Sequence, residues 1–111
     1  MLPETSVALL HQHAVALYEQ QEFEKAVQLF RLLTITEPNQ SEFWYALGSS
    51  LMLSGKPEEA IQPLKIASIH NDQDKRPLEA LIACYNELER QDEAKTISEQ
   101  LQTLRESYGE T

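Results

Sequence analysis

Three alanines, Ala26, Ala60 and Ala94, stand 34 residues apart, each directly after a charged residue in Phe23-Glu24-Lys25-Ala26, Pro57-Glu58-Glu59-Ala60 and Gln91-Asp92-Glu93-Ala94. A fixed period of this length is the signature of a helix–turn–helix unit whose apolar face has to be buried against the next copy of itself. The period therefore predicts an all-α chain of three stacked helix pairs, six antiparallel helices in all. The chain reads as a single domain over 1–111, with repeats at about 7–40, 41–74 and 75–108. Arrays of this kind commonly work by presenting a concave groove to another protein.

The second unit is the clearest. Ser41 is placed to cap a helix carrying Trp44, Leu47 and Leu51 at i, i+3 and i+7, an apolar stripe of helical period. Gly48 lies beside Leu47, where a glycine costs about 1 kcal/mol against alanine. Close approach of the paired helix explains it, with Ala60 as the expected small partner. Ser54-Gly55 ends this helix and Pro57 suits the first turn of the next, whose stripe is Ala60, Leu64 and Ala67. Pro63 removes one backbone hydrogen bond, but the apolar pattern continues beyond it, so no break is expected.

In the first unit Leu10, Ala14 and Leu17 answer to Trp44, Gly48 and Leu51, and Phe23, Ala26, Phe30 and Leu33 form the second stripe. His13 takes the repeat position of Leu47 and is expected near the core. The third unit carries Leu78, Leu81 and Tyr85, then Ala94, Ile97, Leu101 and Leu104. Ile82 stands where a small residue is expected, and Glu89-Arg90 replaces the turn glycine. A polar tail, Ser107 to Thr111, closes the chain.

Nine basic against eighteen acidic residues leave a formal charge of −9, spread as −3 over each of residues 1–40, 41–74 and 75–111. Nucleic acid and anionic membrane both call for a basic surface, so neither is an expected partner. One cysteine, Cys84, permits no internal disulfide and fits a reducing compartment. The N-terminal apolar stretch is interrupted by Pro3, Glu4, His11 and His13, unlike a secretory signal or membrane span. A cytoplasmic location is expected.

Leu47-Gly48, Leu51, Ala60, Leu64 and Ala67, with Pro38 ahead of them, resemble the tetratricopeptide repeat, which implies a short right-handed solenoid with a concave groove. A narrower resemblance runs from Phe43-Trp44-Tyr45-Ala46-Leu47-Gly48 through Gly55, Ala60-Ile61 and Ala67 to Asp74, Arg76-Pro77, Ala80, Ala83-Cys84-Tyr85 and Ala94. These residues look like the small tetratricopeptide chaperones of bacterial type III secretion, in which an Asp-Pro-Arg-x-Pro turn leads into a helix with an alanine pair and a cysteine. Here Asp74-Lys75-Arg76-Pro77 is one residue shorter and the alanine pair is not intact. The resemblance implies a non-enzymatic chaperone masking an apolar segment of a secretion substrate. Length favours the needle subunit as substrate, held with a second small helical co-chaperone, and the absence of the translocator type's N-terminal helical extension agrees. The residues around Cys84 favour the translocator type. The needle subunit is the expectation, with a translocator chaperone, or an adaptor unrelated to secretion, as alternatives.

Stacking puts the first helix of each unit on the concave side, and residues one position off the core stripe face the groove. These are His11, Val15 and Tyr18; then Tyr45, Ser49 and Met52; then Glu79, Ala83 and Asn86. Val15, Tyr18, Tyr45, Met52 and Ala83 would give a floor suited to an amphipathic helix or an apolar extended segment. A groove that clamps a C-terminal carboxylate is disfavoured. His11 and Val15 stand where such grooves place Lys and Asn, Ala80 stands where they place a basic residue, and only Arg76 fits.

Nothing in the sequence assembles a catalytic, cofactor or metal site. His11 and His13 point about 200° apart on a helix. His70-Asn71-Asp72-Gln73-Asp74 lacks the glycine and distal glutamate of a calcium loop and reads as a turn between repeats. The three glycines, Gly48, Gly55 and Gly109, are too far apart for a phosphate loop.

Overall fold

The computed structural model describes residues 3–109, and the end of the polar tail, Glu110-Thr111, lies outside them. Six helices follow one another: α1 (Glu4–Glu19), α2 (Phe23–Thr36), α3 (Ser41–Leu53), α4 (Pro57–His70), α5 (Arg76–Glu87) and α6 (Gln91–Ser107). Each packs on the next along the chain, and α3 also touches α5. The result measures 40 × 29 × 21 Å with a radius of gyration of 14.5 Å. A compact chain of this length would have about 13 Å, so the molecule is drawn out along the array.

The turns repeat as faithfully as the helices. Gln21, Gly55 and Glu89, spaced by the repeat period, all adopt left-handed backbone with φ of 64°, 85° and 58°. Behind each, the next amide reaches back five residues: Glu22 to Leu17, Lys56 to Leu51 and Arg90 to Tyr85, at 2.9, 2.9 and 2.8 Å. This is the Schellman closure, which uses carbonyls that a helix end leaves unpaired. Glu89 does what Gly55 does, without the glycine. The turns between repeats match too: Gln40 N–H donates to Glu37 and Asp74 N–H to Asn71, both at 3.2 Å.

Small residues set the spacing of the helix pairs. Ala14, Ala26, Ala60 and Ala67 are fully buried and Ala94 nearly so, among Phe30, Leu33, Leu47, Leu51, Leu64, Leu81 and Tyr85. Cys84 belongs to this core, and burial, with Glu87 adding to it, pushes its thiol up to about 11. It is a small hydrophobe and not a nucleophile. Pro63 is buried within α4, which runs on unbroken to His70. Ile82 is accommodated half-buried against the core.

Three expectations need correction. Ser41 is the first residue of α3, with Gln40 before it, and no side chain caps that end. Trp44 is only half-buried, whereas its neighbour Phe43 is 8% exposed and in the core. Trp44 instead donates its indole N–H to the Pro38 carbonyl at 2.7 Å, tying α3 to the turn before it. His13 is exposed. The repeat-mates of Leu9 and His13, Phe43 and Leu47, are buried on α3, a helix that packs on the α2 before it, whereas among the described residues no helix precedes α1. Leu9 is accordingly 65% exposed.

Candidate functional site

The helical period brings His11, Val15 and Tyr18 to one face of α1, four and three residues apart. On α3 the same geometry aligns Glu42, Tyr45, Ala46 and Ser49. Between the two helices lies a concavity of about 160 Å³ lined by these seven residues, with Phe30 of α2 as the eighth. Its walls are mostly aromatic and aliphatic carbon, and it opens to solvent.

Each wall is held from behind. The His11 ring meets Phe43 edge-on at 4.9 Å between centroids and Phe30 at 6.4 Å. Tyr18 stands edge-on to Phe23 at 5.3 Å. Its hydroxyl shares a hydrogen bond with Ser49 Oγ at 2.7 Å, which joins α1 to α3 across the groove. Tyr45 lies beneath Arg76, whose guanidinium carbon is 4.5 Å from the ring centroid. Burial raises the Tyr45 phenol above its usual range against the pull of Arg76, so the phenol stays neutral at physiological pH.

Five of the nine residues expected to face the groove therefore come together: His11, Val15, Tyr18, Tyr45 and Ser49. Four do not. Met52 packs half-buried against the core. Ala83 and Asn86 are exposed on α5, beyond the concavity. Glu79, aligned with them, pairs with Arg105 of α6 at 3.4 Å. The apolar concavity thus belongs to the first two repeats, and the third continues the surface in polar form.

Phe30, Glu42 and Ala46 are the lining residues that the sequence argument missed. Phe30 reads as α2 core, which it also is, at 2% exposure. Glu42 did carry a signal: it stands one repeat period before Arg76, and the two pair at 2.7 Å.

Among the described residues no three His, Cys, Asp or Glu side chains are placed to share a metal ion. The 70–74 segment is a turn in which Asn71 Oδ1 accepts the Gln73 N–H at 3.3 Å. Nor is any described helix long and apolar enough to cross a membrane.

Residues 8–39 match the tetratricopeptide repeat family model. No curated protein sequence matches the chain. Solved structures match its shape closely. A chain of the CopN–Scc3 complex superposes with a TM-score of 0.89 at 22% identity, covering 93% of this chain and 61% of that one. The Yersinia enterocolitica type III secretion chaperone SycD, in complex with a peptide of the translocator YopD, gives 0.87 at 20% identity, covering 92% and 78%. PcrH, a Pseudomonas aeruginosa protein, in complex with the chaperone binding region of PopD, gives 0.89 at 18% identity, covering 96% and 80%. This chain therefore spans less than two thirds of the first of these and about four fifths of the other two. The fold is that of a tetratricopeptide protein, and it matches type III secretion chaperones over nearly all of its length.

Proposed function

We propose that this chain is a cytoplasmic, non-enzymatic chaperone of a type III secretion system that seats an apolar segment of a translocator subunit between α1 and α3. The observation that carries this reading is the open, carbon-walled concavity of His11, Val15, Tyr18, Phe30, Tyr45 and Ala46. It lies in a fold whose similar structures include one holding a translocator peptide and one holding a chaperone-binding region. Those complexes favour a translocator over the needle subunit as the partner. Concave apolar surface suits an amphipathic or extended apolar segment, and covering that segment before export prevents its self-association.

Purification from the source organism tests the assignment. Wild type should retain a translocator subunit, while Val15→Asp and Tyr45→Asp should fold yet release it, because each places a charge in the path of an apolar segment. A needle subunit in the wild-type eluate would overturn the translocator assignment. Retention by both variants at wild-type strength would place the partner elsewhere on the molecule.

A further inference from the structure

Arg76 opens α5, yet its side chain serves the second repeat. Its Nη2 donates to Glu42 Oε1 at 2.7 Å and to Asp74 Oδ2 at 2.8 Å. Its Nε donates to Asp74 Oδ1 at 3.0 Å, and its backbone N–H donates to the same oxygen at 3.0 Å. Two carboxylates of the second repeat, one on α3 and one in the turn before α5, therefore hold the guanidinium. The guanidinium carbon lies over the Tyr45 ring, 4.5 Å from its centroid. Tyr45 is a wall of the concavity and Glu42 lines it as well, whereas Arg76 is not among the lining residues.

A planar cation clamped this way restrains the ring on which it stacks, which a mobile ammonium does poorly. We propose that Arg76 is a positioning residue for the groove: held by Glu42 and Asp74, it stacks on Tyr45 and keeps that ring in place as a wall of the apolar concavity. This inference rests on the concavity being the partner's seat. It has a consequence that a plain apolar groove lacks. The Arg76–Glu42 pair is about half exposed, with side chains at 48% and 52%, and is open to screening by salt. Affinity for an uncharged ligand should then fall as salt rises, although salt ordinarily strengthens apolar association.

The test uses the full chain and the neutral apolar fluorophore N-phenyl-1-naphthylamine, which offers Arg76 no charge. Arg76→Gln should lower its affinity roughly two- to fivefold, the range of an exposed cation–π contact. Arg76→Lys should recover part of that loss. The same loss should persist in a Tyr45→Phe background and vanish in a Tyr45→Leu background, since only the first keeps a ring to stack on. Equal loss in the Tyr45→Leu background would overturn the proposal in favour of a direct contact or a general effect on folding. No loss in wild type would overturn it outright. Val15→Asp separates the two readings. If it abolishes fluorophore binding while Arg76→Gln does nothing, the groove stands and the positioning role fails. If it changes nothing, or if wild type does not bind the fluorophore, the groove reading fails and takes this inference with it.

Discussion

Gly48 and Leu64 meet so closely that a methyl group on Gly48 would lie 2.5 Å from Leu64 Cγ and 2.7 Å from its Cδ2. The Ala60 carbonyl oxygen is 3.4 Å from the same point, so Leu64 is the principal partner and Ala60 the secondary one. Leu64 is fully buried, so it can yield only by disturbing the core around it. Gly48→Ala sets a helix-propensity gain of about 1 kcal/mol against overpacking of about 1–3 kcal/mol. The expected outcome is a net loss, larger for Gly48→Leu, read from urea denaturation. Adding Leu64→Ala should restore part of it, making the pair non-additive. A wild-type midpoint in Gly48→Ala would rule this helix contact out.

Ser50 is the converse case, a polar group where the packing calls for carbon. It is fully buried on α3, and its hydroxyl has no hydrogen-bond partner. An unsatisfied buried hydroxyl costs about 1–3 kcal/mol, and alanine is also the better helix former. Ser50→Ala is therefore expected to stabilise the protein, by about 1 kcal/mol, in the same denaturation assay. A loss of stability would mean that the hydroxyl has a partner after all.

The period of 34 made the helix pairs, their order and their close contacts legible, because burial in an array is decided by what repeats. Depth was less legible. Phe43 and Trp44 are both aromatic and adjacent, and the i, i+3, i+7 pattern from Trp44 to Leu51 is as regular as the true core positions. Only the packing of the helices, which buries Phe43 and leaves Trp44 half-buried, distinguishes the two. His13 failed for a related reason: repeat equivalence assigns a face to a residue but says nothing of whether a neighbour covers it. In the groove, the same equivalence extended the site to Ala83 and Asn86, although apolar lining stops with the second repeat. The part of Arg76 was hidden because its partners, Glu42 and Tyr45, lie in another repeat.

The turn residues yield a prediction that separates backbone from packing. Gly55 has φ of 85°, and a Cβ added there would meet nothing within 4 Å. Gly55→Ala should therefore lose about 1 kcal/mol through left-handed strain alone. Gln21 and Glu89 already bear that strain, at φ of 64° and 58°. Replacing either by glycine should be neutral or stabilising by up to about 1 kcal/mol, the relief of strain being partly offset by a freer unfolded chain. Thermal melts of the three variants check the pattern, and a stabilised Gly55→Ala would contradict it.

Phe43 and Trp44 should part company on substitution. Phe43→Ala removes a core ring that also backs His11, at an expected cost of about 3–5 kcal/mol. Trp44→Phe keeps most of a half-buried surface and loses the bond to the Pro38 carbonyl, about 0.5–1.5 kcal/mol. Denaturation midpoints that reversed this order would return Trp44 to the core stripe.

Acid should reach the repeat junction through Asp74. The hydrogen bonds from Arg76 hold its carboxyl below the usual 3.8, against a desolvation that acts the other way. A carboxyl depressed in the folded state binds more protons when unfolded, so stability rises with pH across that interval. The contribution is complete above the usual carboxylate range and disappears as pH falls through the folded value. Its size is at most about 1 kcal/mol, because Arg76 is half exposed and screened. Asp74→Asn should therefore be less stable than wild type at pH 7, and the gap should be narrower at pH 2. Urea titrations at the two pH values measure it. A gap that persisted undiminished in acid would remove charge from the account of how the second and third repeats are joined.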